Sequence, residues 1–303
     1  MQSLFRFARS LRGRSGWHSS HSRGFNATMT YVARSLLNWR QHAAWLAFLE
    51  TRPMFGLSIL DRTLIERYQH RYMNRHWSIR QRLAATHEHY AFALNRFPSK
   101  LFDRLYRARS VPLGRVALRH GSHLSLVLKA PTLRGREGEL SISLMDDEGL
   151  QISYATISFA DAGRTVIIGC LQGAANNAGR DAIRELTKQC HGLRPKNLLL
   201  SMIRSLADAM GAERILGIGN EAHPFASRKK IKADYDGFWQ ENGGTADAHG
   251  FFAMSVHEPV RDESTVESKR RSEFRRREAL RREACALLVA AFGVRRAVVA
   301  QAA

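Results

Sequence analysis

The sequence predicts an α+β protein: a helical N-terminal region, a mixed and mostly antiparallel sheet, and a basic helix at the C-terminus. Three observations predict it. Through the first 110 residues apolar positions recur every three or four, the period of a helix face. From about residue 112 they alternate at period two, the period of a strand. After residue 267 a long stretch returns to helical spacing and is dense in arginine.

In the first region Val32, Leu36, Trp39, Ala43 and Leu46 fall on one helix face. Leu83, His87, Tyr90, Leu94 and Phe97 form a second, closed by Pro98 and Ser99. Four strands follow. SHLSLVLKA sets Leu124, Leu126 and Leu128 on one face, ELSISLM alternates Leu140, Ile142 and Leu144, and QISYATISF and TVIIGCL complete the set. The turns between them are short, so the strands are expected as an antiparallel meander. A helix is expected near 178–190. HGLRPKNLLLSMIRSLADAMG reads as the best-defined helix, with Pro195 in its first turn and Gly211 as a left-handed stop. ERILGIG and HGFFAMSV are two further strands. The expected organisation is a basic, disordered arm at 1–27, a helical region at 28–110, an α/β domain with its closing basic helix at 111–292, and a tail at 293–303.

The chain has 303 residues, 47 Lys and Arg against 27 Asp and Glu, and a formal charge of +20. Such a field attracts polyanions: nucleic acid, anionic lipid or phosphorylated small molecules. Residues 1–49 hold no acid at all, a composition shared by organelle transit peptides, basic arms and amphipathic surface segments. No stretch of 18 apolar residues is present, so no membrane-spanning helix is expected and the protein is placed in the cytoplasm or at the periphery of the inner membrane. Three cysteines with no CxxC or Cys/His ladder argue against a disulfide framework or a structural zinc, and no metal site is expected.

The segment KKIKADYDGFWQENGG puts Tyr235, Phe238 and Trp239 on one face of a short helix, capped by Asp234 and stopped by Asn242-Gly243-Gly244. Caps and aromatic anchors account for that helix without any ligand. They do not account for Arg228, Lys229, Lys230 and Lys232 before it, and an anion held there with a proton handled by Asp234 or Asp236 is the functional alternative. His191, Gly192, Arg194 and Lys196 surround a helix N-terminus, where free N–H groups and a partial positive charge attract anions; the bland alternative is a hydrated helix entrance. Gln172 and Gly173, ending a central strand, stand where binding loops collect. His223 is a candidate general base or an ordinary turn residue. The run 269–282 carries eight cations against two glutamates, with Lys269, Arg270 and Arg271 at its start, and suits a phosphate-rich surface.

The order of elements from 165 onward resembles the GNAT-type acyltransferase fold. There a helix N-terminus holds the pyrophosphate of an acyl-CoA, and an Asn-bearing loop, here with Asn220, precedes an aromatic helix, here FWQENGG. Where that family's loop carries spaced glycines this chain has Gly192, and Pro195 removes an amide. LQG at 171–173, LTKQCHGLRPKNLLL, KKIKADYDGFWQENGG and SKRRSEFRRRE together resemble the VirK/YbjX family of bacterial proteins, over roughly residues 30–292. That resemblance implies a role in virulence, cell-surface properties and resistance to cationic antimicrobial peptides. Together the two resemblances imply an acyltransferase-like enzyme with Asp234, Tyr235 or His223 in catalysis. Acyl-CoA or acyl-carrier protein would be held by Gln172, Gly173, His191, Gly192, Arg194, Lys196 and Asn220. The alternatives are a non-enzymatic acyltransferase-like fold that binds anionic lipid or a protein partner, and, more weakly, a nucleic-acid binder.

Overall fold

A computed structural model of the chain describes residues 1–12, 22–131, 135–173, 180–226, 233–259 and 262–294. Six helices come first: α1 (Gln2–Arg12), α2 (Ser22–Leu37), α3 (Trp39–Leu49), α4 (Arg52–Leu60), α5 (Ile79–Arg96) and α6 (Ser99–Tyr106). In the stretch expected as a disordered arm, Gln2–Arg12 is helical. It is tied to α3 and the residue after it by Arg6 Nε donating to Glu50 at 2.8 Å, and to α2 by a 2.6 Å bond between the Ser10 and Tyr31 hydroxyls.

The single face expected from Val32 to Leu46 is broken at Asn38, where α2 ends and α3 begins. Tyr31, Ser35, His42, Trp45 and Leu46 are buried while Leu36 and Leu37 are exposed, so the buried face lies about one residue ahead of the expected one on both sides of the break. His42 tolerates burial because both ring nitrogens are bonded, to the hydroxyls of Tyr31 (2.9 Å) and Tyr68 (2.8 Å). Burial lowers it to about 4, so the ring is neutral at physiological pH. α5 starts at a capping box between Ser78 and Gln81, buries Leu83 and Tyr90 as expected, and ends just before Pro98.

The sheet has eight strands: β1 (Ser110–Ala117), β2 (His123–Lys129), β3 (Leu140–Met145), β4 (Gln151–Ala160), β5 (Thr165–Gln172), β6 (Arg214–Ile218), β7 (Thr245–Ala246) and β8 (Phe251–Met254). Their order is β1-β2-β3-β4-β5-β6-β8-β7. The expected meander is β2 to β5. β1, not foreseen, adds an edge, where a proline is tolerated, and a register shift absorbs the step from Pro112 to Gly114. Every pairing is antiparallel except β5 with β6. That parallel pair requires a crossover, supplied by α7 (Arg180–Gln189) and α8 (Pro195–Met210). α8 begins at Pro195 and stops at Gly211, whose φ of 79° is the left-handed conformation expected of it. Two helices complete the chain: α9 (Tyr235–Glu241) and α10 (Ser268–Ala291).

α5 packs on β4, α8 on β4 to β6, and α10 on α8 and β1. One contiguous apolar core runs from Trp45, Leu57 and Tyr90 in the helical region, through Leu126, Ile142 and Ile157 in the sheet, to Leu206 and Leu288. Each such side chain contributes about 1.5–3 kcal/mol by leaving water. Cys170, Cys190 and Cys285 are buried and form no disulfide among the described residues. No helix among the described residues is long and apolar enough to cross a membrane.

Candidate functional site

β5 and β6 run side by side from Thr165 and Arg214 to Ile168 and Gly217. Beyond that point β6 ends, while β5 continues to Gln172 paired only with β4. At the divergence β5 bulges. Ile168 and Cys170 oppose the consecutive residues Ile157 and Thr156, leaving Gly169 as the extra residue. A side chain there would stand 2.1 Å from the carbonyl oxygen of Glu137, so the position needs glycine.

α9 fills the gap that the diverging strands open. Trp239 Nε1 donates to the carbonyl of Ile218 at 2.8 Å. The Tyr235 hydroxyl accepts from the Leu171 amide at 3.3 Å and from Gln172 Nε2 at 2.9 Å, and lies 3.6 Å from Cys170 Sγ. A polar knot fixes the entrance of α9. Asp234 caps it by accepting from the Gly237 amide at 3.1 Å, and Asn220 Nδ2 donates to Asp234 at 2.9 Å. Asn220 Oδ1 accepts from the Tyr235 amide at 2.8 Å, and its own amide donates to Asp236 at 2.7 Å. The Asn220 bond and the cap hold the Asp234 carboxyl below its ordinary value, so it is ionised. Burial pushes the Tyr235 phenol and the Cys170 thiol far up, so both keep their protons.

A cleft of about 420 Å³ lies between the end of β5, the start of α8 and α9. Gly173, Arg194, Lys196, Asp234, Phe238 and Glu241 line it. Few amides at the start of α8 are free to hold an anion. Pro195 has none, and those of Asn197 and Leu198 turn back to the Arg194 carbonyl at 2.9 and 3.1 Å. The cations therefore matter more than the helix end. Arg194 pairs with Glu241 at 3.2 Å across the cleft. Lys196 lies along Gly173 with its ammonium 5.7 Å from the Phe238 ring, and burial lowers its pKa.

The structure thus brings Gly173, Arg194, Lys196 and Asp234 into one cleft, with Gln172 and Tyr235 bonded to each other beside it. It sets the remaining sequence candidates elsewhere. His191 accepts from Arg119 Nε at 3.0 Å, in a turn where it and Gly192 both have positive φ, and neither lines the cleft. Asn220 is committed to the α9 knot. His223 is 1% exposed and lies outside the cleft lining. Its Nδ1 accepts from the Phe225 amide at 3.2 Å, its Nε2 faces Glu137 at 3.3 Å, and its ring stacks on Tyr235 at 5.3 Å. Lys269, Arg270 and Arg271 stand at the start of α10. That run is less bare than its composition suggests. Lys269 and Arg270 pair with Glu267 at 3.4 and 3.6 Å, and Arg275 pairs with Glu263 at 2.6 Å. Lys229 and Lys230, with Arg228 and Lys232, lie outside the described residues.

Sequence reasoning missed Glu137, which is 2% exposed and underlies His223 and Cys170. It sits in GREGE, a stretch that reads as an ordinary polar turn. The one local signal is that Glu137 and Glu139 flank Gly138 at strand spacing, just before β3.

A family model described as "Protein of unknown function (DUF535)" matches residues 20–286. The uncharacterized protein YbjX of Escherichia coli (strain K12) is 28% identical over 266 residues, covering 85% of this chain and 80% of that protein. An uncharacterized protein of Haemophilus influenzae is 27% identical, covering 82% and 84%. Membrane protein LapB of Mannheimia haemolytica is 24% identical, covering 64% and 78%. Among solved structures, a cAMP-binding acyltransferase from Mycobacterium smegmatis is 12% identical with a TM-score of 0.30, over 70% of this chain and 62% of that one.

Proposed function

The chain belongs to the DUF535 family, which is the VirK/YbjX family of bacterial proteins, and we propose that it serves the cell envelope as an acyltransferase-like enzyme using an acyl thioester. The observation that carries this reading is the cleft where β5 leaves β6, with Lys196 and Arg194 over the strand end and the Tyr235 hydroxyl on the Leu171 amide. In this reading Arg194 and Lys196 hold the anionic part of the donor, and Phe238 and Ile152 face its apolar part. The acceptor attacks the thioester carbonyl, the C–S bond breaks, and the departing thiolate takes a proton. Tyr235 is the group suited to relay it: its hydroxyl gives a proton to the thiolate and takes the acceptor's own proton in return, so the buried phenol ends neutral. Asp234 is an ionised cap and positions α9. His223 supports Tyr235 by stacking: it lies outside the cleft lining, its Nδ1 is bonded to the Phe225 amide, and its Nε2, without a hydrogen-bond partner, faces Glu137.

A second reading, non-enzymatic binding of anionic lipid through the basic ends, has one observation in its favour. On α1 Leu4 and Phe5 are 62% and 75% exposed, beside the cations Arg6 and Arg9.

The test is the thermal stability of the purified protein with CoA, acyl-CoAs and acyl-carrier protein. A ligand at a hundred times its dissociation constant stabilises by about 2.7 kcal/mol. The enzyme reading expects a shift with a thioester that Lys196→Ala removes. No shift with any thioester overturns it, and anionic liposomes with Leu4→Ser/Phe5→Ser then test the second reading.

A further inference from the structure

A larger cleft, about 520 Å³, opens elsewhere and shares no lining residue with the first. Five cationic or titratable side chains line it: Arg34, His70, Arg71, Arg82 and Arg136. They come from separate parts of the chain. Arg34 is on α2, His70 and Arg71 follow a short 3-10 turn, Arg82 is on α5, and Arg136 precedes β3. No carboxylate lines the cleft among the described residues; Glu66 flanks it, 3.9 Å from His70.

Two of the guanidinium groups are anchored. Arg34 donates to the carbonyl of Gln69 at 2.9 Å and Arg82 to that of His70 at 3.1 Å. Neutral carbonyls orient these cations but leave their charge uncompensated. Arg82 Nε is buried without a hydrogen-bond partner. Burial, with Arg34 and Arg71 nearby, pulls the Arg82 guanidinium below its ordinary value, the direction expected of crowded like charges. Gathering such charges around a concavity costs stability unless an anion is taken up there. Guanidinium forks match phosphate oxygens in shape as well as charge, and the volume lies within the usual range for small-molecule sites.

The geometry points to a second ligand site here, one that takes a compact phosphate ligand carrying two or more negative charges, of the diphosphate or phosphomonoester kind. Its source is a soluble metabolite or the headgroup of a lipid phosphomonoester, and the chemistry of recognition is the same. The site stands apart from the acyl-thioester reading and does not depend on it.

The experiment is calorimetric titration of the full chain with inorganic pyrophosphate at fixed moderate salt. The expected result is saturable binding at one site, weakened about tenfold or more by Arg82→Gln and by Arg71→Gln. Arg82 also holds the His70 carbonyl, so its variant is checked by melting; Arg71 is exposed, and its variant keeps the test decisive if the other unfolds. The double variant Lys100→Gln/Arg104→Gln, exposed on α6, should leave the affinity within about twofold, because surface charges far from the ligand are screened. Absence of saturable binding, indifference to both cleft variants, or equal weakening by the α6 variant would each overturn the proposal. Phosphatidylcholine vesicles with and without phosphatidic acid then separate the two sources. Retention on phosphatidic acid that Arg71→Gln abolishes assigns a lipid headgroup. Pyrophosphate binding without such retention assigns a soluble ligand.

Discussion

Glu137 and Glu139 stand two residues apart in one turn, both buried, and their surroundings differ in kind. Glu139 meets strong partners on one oxygen, while its Oε1 has no hydrogen-bond partner. Arg67 donates to it, the Tyr90 hydroxyl donates at 2.7 Å, and Arg67 reaches on to Asp61 at 2.6 Å. The knot ties the 3-10 turn after α4, α5 and the start of β3 together. Glu137 meets His223, with Cys170 close by, and its Oε2 is buried without a hydrogen-bond partner. Each carboxylate thus leaves one buried oxygen without a partner, and what separates the two is the other oxygen: Glu139 holds a permanent cation and a hydroxyl there, Glu137 an imidazole. The difference teaches which half of the turn holds the fold and which leans on the site, since His223 stacks on Tyr235 and Tyr235 caps the end of β5.

The largest effect expected from this contrast is at Arg67. Arg67→Met leaves Glu139 as an uncompensated charge in the core and should cost about 3–5 kcal/mol. Urea unfolding monitored by circular dichroism would show it. A loss below about 1 kcal/mol would mean that the Glu139 side of the turn is no clamp.

How much of this was legible in the sequence follows the same division. Period-two leucines at 124, 126 and 128 and the Pro195-to-Gly211 helix needed only local pattern, and both stand as expected. β1 was hidden because Pro112 and Gly114 break its alternation, and an edge strand is where such residues are tolerated. The break at Asn38 was hidden because Val32 to Leu46 keep helical spacing across it; burial of His42 between two tyrosines decides the phase, and that is tertiary. Arg194, Lys196 and Asp234, which line one cleft, stand out in the sequence because helix entrances have local signatures. Glu137 was not, because its partner His223 is 86 residues away by number and nothing in GREGE marks it as buried. The cationic cleft was likewise beyond sequence reading, since its arginines come from four separate segments.

An intermediate effect is expected at Glu137. Glu137→Gln keeps the shape, removes the charge facing His223, and should cost about 1–3 kcal/mol or less, smaller than Arg67→Met. It should also loosen Tyr235, so the intrinsic fluorescence of Trp239, which stacks on Tyr235 at 6.1 Å, should change before the cooperative unfolding transition. A variant with full stability and unaltered Trp239 emission would separate the Glu137–His223 pair from the site and weaken the contrast with Glu139.

The smallest effect, and the sharpest for chemistry, is at Asp234. Its carboxyl is held below its ordinary value by Asn220 and the Gly237 amide. A group depressed in the folded state adds stability above its unfolded pKa and loses it as pH falls through the folded one. Wild-type protein should therefore lose stability on acidification below about pH 4, and Asp234→Ala should show less of that loss. Asp234→Asn retains an acceptor for the Gly237 amide, since asparagine caps helices about as well as aspartate. If the residue only positions α9, the Asn variant should bind and turn over a thioester like wild type while the Ala variant does not. If Asn fails as completely as Ala with its melting temperature intact, the charge itself acts in the cleft, and Asp234 moves from the structural side of the comparison to the chemical one.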